Sequence, residues 1–470
     1  MKIRIVVSYV PRYRHGHGVQ FVPPVTGIHL AAITPPEHQV EVVHEQVRPV
    51  PFCPLPDLAA LSFFSGFARQ AYQTADRFRS MGVPVVAGGP HASYWVDEAL
   101  RHVDAVVVGE AEEIWPQVIA DFERGKPQKV YRGKESSMQN LPMARYDLLE
   151  DAFVVPRVLQ ATRGCPFTCT FCSVPDLNPG FRTRPVGDVI RDIEQSRFPH
   201  FWQDKVAWFW DDNLLVDRKW AKQLLREMRG LKRWWLTQAS IDIVHDKELL
   251  DLMEASGCIG IFLGIESLDA IDLKSVEKRQ NHAERYRDAI QRLHARGICV
   301  MAGFISGFEA HTPQGIEDIA DRLNEVGVDV PFLSILTPFR GTPLYDDFMR
   351  KDRLLKERDW GHYNGYNVAF KPALMSADGL LNAHRALWNR AFGMGHVMER
   401  LGRGIRELGP GGLMLSAAMN GFYGLKRALG NAPAEAPREN EGQIQHPSLE
   451  EPPLRLSQLK KKRSILSPTP

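Results

Sequence analysis

Three cysteines lie close together in one short stretch of the chain. Cys165, Cys169 and Cys172 have the spacing C-x3-C-x2-C, and the other three cysteines of the 470 residues are isolated. Thiolates are soft ligands that suit iron–sulfur clusters or zinc. The spacing matches neither the usual paired C-x2-C zinc pattern nor a run of four cluster cysteines. Three thiolates on a four-iron cluster would leave one iron open for a substrate or cofactor, and a structural zinc or unliganded thiols are the alternative interpretation.

Polar and small residues follow five predicted strands downstream of these cysteines, where a site would need them. One such group could arise by chance, because acidic residues commonly cap the helix that follows a strand. Five groups at matching positions indicate a site instead. The residues are Asp211, Asp212, Ser240, Asp242, Glu266, Ser267, Gly303 and Arg340.

Strand-like and helix-like runs alternate from residue 157 to residue 344, and these elements must position the polar residues. About six strand–helix units favour a partial barrel with its chemistry at the carboxyl ends of the strands. The strand candidates are residues 157–161, 205–210, 234–239, 258–264, 298–304 and 330–336, and the helix candidates are residues 186–197, 218–229, 247–256, 283–296 and 314–326.

Residues 1–125 show the same alternation, which predicts a parallel sheet covered by helices on both faces. The strand candidates are residues 2–10, 40–43, 58–63, 83–87 and 105–108, with helices over 66–81 and 112–123. Such sheets bind ligands at the carboxyl ends of their strands, where glycines let a backbone approach a ligand closely. The small or polar residues at those ends are Ser62, Gly88, Gly89, Gly109 and Glu110.

The remaining segments are predicted to connect or enclose these two parts. Residues 126–156 lose periodicity, which indicates a linker. Residues 345–429 are predicted to form a helical cap, in which the apolar, glycine-rich stretch 410–425 is a core helix or a contact with a membrane or lipid. Residues 430–470 are rich in Pro, Glu, Gln, Ser and Lys, which predicts disorder, and their basic tetrad 460–463 is expected to be solvated.

Composition places the chain among ordinary globular proteins. Hydrophobic residues make up 44% and charged residues 24%, and the net charge of +2 gives no reason to expect a nucleic-acid partner. Six cysteines, three of them clustered, do not resemble a disulfide framework, which favours a reducing cytoplasm. No apolar run approaches the roughly 18 residues of a membrane span.

The cysteine loop resembles the signature of the radical S-adenosylmethionine (SAM) superfamily, which has this spacing and an aromatic residue, here Phe171, before the last cysteine. The resemblance implies a [4Fe–4S] cluster on the three cysteines and a partial (β/α)6 barrel over 157–344. The strand ends resemble SAM-binding elements of the same family. Resemblance implies that Asp211 and Asp212 lie near the SAM amino group and that Ser240 and Asp242 face the ribose. It implies SAM-binding roles for Phe171, Glu266, Ser267, Gly303 and Arg340.

The first part resembles the doubly wound, Rossmann-like cobalamin-binding domain that precedes many radical SAM cores. This resemblance implies that Ser62, Gly88, Gly89, Gly109 and Glu110 contact cobalamin. The sequence departs from many cobalamin proteins because it has no Asp-x-His-x-x-Gly motif, whose histidine ligates cobalt. His15 and His17 lie in the corresponding region with a different spacing and are expected to be loop residues.

Together, the resemblances imply a cobalamin-dependent radical SAM enzyme, with C-methylation of an unactivated carbon in a lipid or specialised metabolite as the leading hypothesis. The C-terminal part is similar to members acting on hopanoids. A second hypothesis keeps both cofactors for a ring closure, rearrangement or oxidation, as in anaerobic porphyrin-ring cyclases. A third is a metal-stabilised binding protein without catalysis. The implied partners are a small-molecule or lipid substrate and an electron donor such as ferredoxin or flavodoxin, with peripheral membrane contact left open.

Overall fold

The structure, a computed structural model, describes residues 1–9, 20–355 and 358–430 in two compact units. Within these residues, the first unit comprises Met1–Gln160 and Asp176–Asp204. Among the described residues, the second comprises Ala161–Pro175 and residues 205–430. His15, His17 and the tail from residue 431 with its basic tetrad lie outside the described residues.

Six parallel strands form the sheet of the first unit. They are β1 (Lys2–Val7), β2 (Gln39–His44), β3 (Leu58–Ser62), β4 (Val85–Gly88), β5 (Ala105–Val108) and β6 (Val130–Arg132). Their order in the sheet is β2-β1-β3-β4-β5-β6. β2 lies on one side of β1, and β3 to β6 follow on the other side, so the strand order reverses beside β1. Val7 pairs with both His44 and Ser62, so the carboxyl ends of these strands are level. Ligands of open α/β sheets bind outside such ends at a reversal of strand order.

Helices pack on this sheet through apolar residues at helical spacing. Ile3 and Ile5 of β1 share a core cluster with Ile28 and Trp115 from two of these helices. The helices are α1 (Val25–Ala32), α2 (Ala68–Ser80), α3 (Pro90–Tyr94), α4 (Val96–Ala99) and α5 (Trp115–Glu123).

The first unit is larger than residues 1–125, the range expected for it. Residues 126–156, expected to be a linker, supply the edge strand β6, in which the buried Tyr131 donates a hydrogen bond from its hydroxyl to Asp121 Oδ2 at 3.0 Å. Three residues are too few for a periodic signal in the sequence. Between β6 and β10 the chain forms β7 (Val158–Leu159), β8 (Thr162–Gly164), α6 (Val174–Leu177), β9 (Phe181–Thr183), α7 (Val186–Gln195) and α8 (Phe201–Lys205).

The second unit contains a run of parallel strands that neighbour one another in chain order, which confirms the predicted α/β partial barrel. These strands are β10 (Val206–Phe209), β11 (Trp234–Ala239), β12 (Cys258–Glu266), β13 (Cys299–Ser306) and β14 (Val330–Ile335). The intervening helices are α9 (Arg218–Met228), α10 (Lys247–Ala255), α11 (Ala270–Ser275), α12 (Tyr286–His294), α13 (Pro313–Glu317) and α14 (Ile319–Val326).

Four helices complete this unit, as expected for the C-terminal part. They are α15 (Pro343–Arg350), α16 (Ala377–Ala391), α17 (Met394–Glu407) and α18 (Pro410–Ala428). One face of α18 is buried through Leu415 and Met419, whereas Met414 and Leu425 on another face are exposed. Among the described residues, no helix combines the length and apolar character that crossing a membrane requires.

Candidate functional site

The cysteine loop follows β8 and is tied to two later segments of the second unit. Thr170 N donates to Val276 O at 3.0 Å, and Leu344 N donates to Thr170 O at 3.0 Å. Cys172 N donates to Cys169 O at 3.0 Å within the loop. These bonds mean that the rest of the unit determines the backbone from which the thiols project.

Two thiols of this loop, Cys169 and Cys172, are poorly ionised as long as nothing binds them. Burial raises the pKa of Cys169, and it raises the pKa of Cys172 to about 12. A negative charge on Cys165 opposes ionisation of both further. A metal-bound thiol is deprotonated, so these cysteines would release protons as they bind a metal centre.

Nitrogen donors lie beside two of the three sulfurs. Asn213 Nδ2 is 3.8 Å from Cys165 Sγ, and Gln280 Nε2 is 3.9 Å from Cys169 Sγ. In the described part of the chain, no three His, Cys, Asp or Glu side chains are arranged to hold a single metal ion. Three thiols with nearby N–H groups fit an iron–sulfur cluster, whose sulfurs accept hydrogen bonds.

Asp211 and Asp212 support the strand that leads into the cysteine loop. Asp211 Oδ1 accepts hydrogen bonds from Ala161 N at 2.9 Å, from Thr162 Oγ1 at 2.8 Å and from Thr162 N. Asp212 Oδ2 accepts from Gly164 N at 2.9 Å. Burial raises the pKa of Asp211 to about 7, and its Oδ2 is buried with no hydrogen-bond partner in the described part of the chain. A contact of this pair with the SAM amino group stays a prediction.

Ser240 and Asp242, which follow β11, are joined to each other and to the end of β10. The Ser240 hydroxyl donates to Asp242 Oδ1 and accepts from Asn213 Nδ2 at 3.2 Å. Arg218 Nη2 donates to Asp242 Oδ2 at 2.6 Å. The structure therefore brings two of the predicted strand ends together through an asparagine to which the sequence interpretation assigned no role.

Glu266 occupies a bulge at the end of β12, where the register with β13 shifts. Its φ of 63° lies in the left-handed region, which is uncommon for a residue other than glycine and is often found at functional sites. Glu266 Oε1 accepts from Lys278 Nζ at 2.9 Å, and both side chains are 12% exposed. A Cβ at Gly264 would lie 2.4 Å from Glu266 Oε1, and one at Gly303 would lie 3.7 Å from its Oε2. Gly264 therefore leaves room for the carboxylate, whereas a Cβ at Gly303 would make only an ordinary contact with it.

The three other residues expected to bind SAM have different surroundings. Ser267 is buried, and its hydroxyl donates to Asp272 Oδ2 at 2.8 Å while accepting from Asp269 N at 3.0 Å. Its polar atoms are therefore engaged inside the protein. The Phe171 ring lies 6.0 Å from Lys278 Nζ, and Arg340 is half-buried after β14.

In the first unit, the residues predicted to contact cobalamin follow β3, β4 and β5. Gly89 has a φ of 90°, and a Cβ there would lie 3.0 Å from the backbone N and O of Phe63 and from Ser62 Oγ. Gly109 also has a positive φ, of 82°. Gly88 has more space, since the nearest atom to its Cβ position is Val107 O at 3.7 Å. The backbone at this edge thus adopts conformations that favour glycine.

Glu110 forms an ion pair within the first unit. Its two carboxylate oxygens accept from Arg182 at 2.6 and 3.0 Å, and Oε2 also accepts from Ser136 N at 2.8 Å. The Glu110 side chain is only 7% exposed. This arrangement indicates a structural contribution, and the predicted contact with cobalamin stays untested.

Two buried polar atoms at the carboxyl ends of β1 and β2 have no hydrogen-bond partner among the described residues. They are Ser8 Oγ and His44 Nε2, while His44 Nδ1 lies 3.1 Å from Glu150 Oε2. Buried polar atoms are nearly always hydrogen-bonded in proteins, so both atoms fit a bound polar group at this edge. His44 directly follows the predicted strand 40–43, and this available signal was missed, whereas Ser8 lies inside the predicted strand 2–10 and the sequence did not mark it.

Comparisons with known proteins agree with this geometry. Residues 159–360 match the profile of the Radical SAM superfamily. The bacteriochlorophyllide d C-12(1)-methyltransferase of Chlorobaculum tepidum is 29% identical over 359 residues, which cover 73% of this chain and 76% of the relative. The hopanoid C-2 methylase of Rhodopseudomonas palustris is 27% identical over 383 residues, covering 75% of this chain and 72% of the relative.

A solved structure of the cobalamin-dependent S-adenosylmethionine radical enzyme OxsB, with aqua-cobalamin and S-adenosylmethionine bound, shares the fold. Its TM-score is 0.65 at 15% identity, with 91% of this chain and 72% of that chain covered. Fold and site together define an α/β protein with a Rossmann-like unit and a three-cysteine partial barrel. Residues 159–360 therefore form a radical SAM domain, which confirms the resemblance of the cysteine loop. This domain indicates an enzyme, and radical SAM enzymes require a [4Fe–4S] cluster and SAM.

Proposed function

We propose that this chain is a cobalamin-dependent radical SAM C-methyltransferase that acts on an unactivated carbon of a lipid or specialised metabolite. The observation that carries the proposal is the combination, in one chain, of the three-cysteine loop with a Rossmann-like sheet that has orphan polar atoms at its carboxyl edge. The names of the two relatives specify methyl transfer, and OxsB is named as cobalamin-dependent, which supports both parts of the proposal.

Cys165, Cys169 and Cys172 would hold the cluster. When bound, a [4Fe–4S] cluster supplies an electron to the sulfonium of SAM, which breaks a carbon–sulfur bond. The side chains of Glu266 and Asp242 offer carboxylate oxygens that can accept hydrogen bonds from the ammonium and hydroxyl groups of SAM. Their partners Lys278 and Arg218 orient these carboxylates before any ligand arrives.

The first unit would hold cobalamin, which supplies the methyl group for such a transfer. Gly89 and Gly109 keep the backbone free of side chains at the carboxyl edge, and Ser62 lies beside Gly89. Ser8 Oγ and His44 Nε2 offer hydrogen bonds to polar groups of the cofactor. The sequence has no Asp-x-His-x-x-Gly motif, so the lower cobalt ligand is proposed to be something other than the histidine of that motif.

The proposed partners follow from the same chemistry. A cluster that is reduced in each cycle needs an electron donor, for which ferredoxin or flavodoxin is suited. The exposed Met414 and Leu425 of α18 support contact with a membrane surface, which sedimentation with lipid vesicles tests. All six cysteines are free, which supports a cytoplasmic location.

Loss of one cluster ligand tests the centre of the proposal. Cys169→Ala protein, reconstituted anaerobically with iron and sulfide, is expected to hold little iron and to cleave no SAM, because two thiolates rarely retain a cluster. Cys53→Ala removes an exposed cysteine of the first unit and serves as the control. A Cys169→Ala protein with four irons and SAM cleavage would contradict the assignment.

Gly88→Val tests for cobalamin at the edge of the first sheet. The nearest protein atom is 3.7 Å from the Cβ position, so the fold should accept valine while a ligand lying against this backbone would clash. We expect weaker retention of cobalamin, measured by absorption after gel filtration, with unchanged iron content. Gly187→Val, where no atom lies within 4 Å, is the matched control. Equal cobalamin retention by both variants would remove Gly88 from the site.

Methyl transfer itself is followed with SAM carrying a labelled methyl group. Two SAM molecules consumed per labelled product support methylation. Cleavage of SAM without transfer of the label supports ring closure, rearrangement or oxidation, and the absence of both iron and SAM cleavage supports a binding protein without catalysis.

A further inference from the structure

The turn formed by residues 276–281 lies beside the cysteine loop and carries a buried lysine. Lys278 Nζ lies 2.9 Å from Glu266 Oε1, with both side chains 12% exposed. A Cβ at Gly264 would lie 2.9 Å from the same Nζ, so the backbone of β12 closes one side of the ammonium group. The Phe171 ring, 6.0 Å from Nζ, lies on the side of the cysteine loop.

The charge of Lys278 acts on more than its carboxylate partner. Burial alone lowers the pKa of Lys278, but the charges of Glu266, Cys169 and Cys172 raise it above the ordinary value of 10.5. The lysine is therefore a cation at neutral pH. Gln280 of the same turn places its Nε2 3.9 Å from Cys169 Sγ, so the turn lies against the cysteine loop. Once Cys169 and Cys172 are thiolates, as they are on a metal centre, the charge of Lys278 attracts them as well as Glu266.

The turn is held rigidly in this place. Val276 O accepts from Thr170 N of the cysteine loop at 3.0 Å. At the other end, Asn281 Nδ2 donates to Gly264 O at 2.8 Å and to Ile265 O at 3.1 Å. The backbone that carries Lys278 is thus attached both to the cysteine loop and to the end of β12, and the ammonium group is fixed before any cofactor binds.

A fixed buried cation changes the energy of adding an electron nearby. Reduction of an iron–sulfur cluster adds one negative charge to a group that its thiolates already make negative. Protein charges and hydrogen bonds to the sulfurs set cluster potentials over a wide range. Because water screens buried charges less than exposed ones, a lysine in this position favours the reduced form more than a surface lysine would.

We propose that Lys278 is a positioning residue that raises the reduction potential of the cluster held by Cys165, Cys169 and Cys172, through a buried charge fixed by Glu266 and by the turn 276–281. The proposal rests on the proposed function, since it requires a cluster on these cysteines. In this proposal the charge of Lys278 stabilises the reduced cluster, in addition to neutralising Glu266.

The test is the midpoint potential of the reconstituted full-length protein, measured without SAM by electron paramagnetic resonance during a redox titration. K278M removes the charge with a side chain of similar length, and K278R restores it. K274M removes an exposed lysine four residues earlier and is the matched control. We expect a more negative potential for K278M than for the parent, with K278R and K274M close to the parent.

A second pair of variants separates the proposal from a purely structural role. E266Q/K278M removes both charges of the ion pair, so no carboxylate is left without its cation. This double variant therefore tests the proposal even if K278M alone binds too little iron for a redox titration. Compared with E266Q, the double variant is expected to have the more negative potential. Equal potentials in this pair, or in K278M and K274M, would overturn the proposal while the proposed function stands. A parent protein with no cluster on the three cysteines would contradict the proposed function itself.

Discussion

The Asp211 carboxylate lies in the protein interior, directly behind the strand that leads into the cysteine loop. It accepts hydrogen bonds from Ala161 and Thr162, yet burial raises its pKa to about 7 from an ordinary value of 3.8. Between about pH 4 and pH 7, Asp211 is therefore protonated in the folded state and ionised in the unfolded state. The contribution of Asp211 to the free energy of unfolding is fully present below about pH 4 and is lost as the pH rises through about 7.

Asp211→Asn, which imitates the neutral acid, is expected to remove this pH dependence. The variant should gain stability relative to the parent between pH 4 and pH 8, by no more than about 4 kcal/mol. Thermal unfolding across that range measures the difference. Glu325→Gln changes an exposed carboxylate of the same unit and controls for general charge effects. A difference between Asp211→Asn and parent that stays constant with pH would show that Asp211 does not titrate as expected.

At the scale of single elements, the C-terminal helix α18 depends on two glycines to reach the barrel strands. A Cβ at Gly412 would lie 2.5 Å from Gly297 O and 3.2 Å from Cys299 N. A Cβ at Gly411 would lie 2.3 Å from Ile259 Cγ2. The small residues in this part of α18 therefore allow a close contact with β12 and β13, and they are part of the packing of the second unit.

Replacing glycines of α18 with alanine is expected to destabilise the protein on the face that contacts β12 and β13 and not on the exposed face. Gly412→Ala should lower the unfolding temperature, since overpacking against backbone typically costs about 1–3 kcal/mol. Gly421→Ala has no atom within 4 Å of its Cβ position and should be neutral or stabilising by up to about 1 kcal/mol, because alanine favours helix. Calorimetry of the two variants checks this, and equal effects of both substitutions would argue against the close contact.

At the scale of the whole molecule, the described residues of the first unit come from two separate parts of the chain. Residues 176–204 return to it after the cysteine loop, with Arg182 paired to Glu110 at 2.6 Å and Asp204 to Arg157 at 2.8 Å. The Arg157 side chain is fully buried and that of Glu110 is 7% exposed. The cysteine loop is therefore inserted, in sequence, into the first unit.

Fragments of the chain test this discontinuous organisation. Residues 1–204 are expected to unfold cooperatively, whereas residues 1–160 should melt at a lower temperature, because removing one partner of a buried ion pair typically costs about 3–5 kcal/mol. Circular dichroism during heating compares the two, and Arg182→Met in the longer fragment isolates one pair. Identical melting of both fragments would mean that residues 1–160 are sufficient for this unit.

The local apolar pattern by itself determines the fold class and much of the element order. It predicts strands at 105–108 and 234–239, and β5 and β11 have these bounds. Strands buried on both faces are continuous apolar runs, which a sequence displays directly. The cysteine spacing is equally local, so the cluster loop follows from the sequence. The short helix α1 escapes prediction, because its mostly apolar eight residues offer no clear polar face.

Only the tertiary structure decides where the polar side chains at the strand ends point. Ser267 turns towards Asp272, whereas Glu266 meets Lys278 across a bulge with a left-handed backbone. Glu110 finds its arginine 72 residues further along the chain. A strand-end pattern indicates that a polar residue stands near the site, but its direction depends on backbone twist and on partners from distant segments. Those partners become neighbours only when the chain has folded.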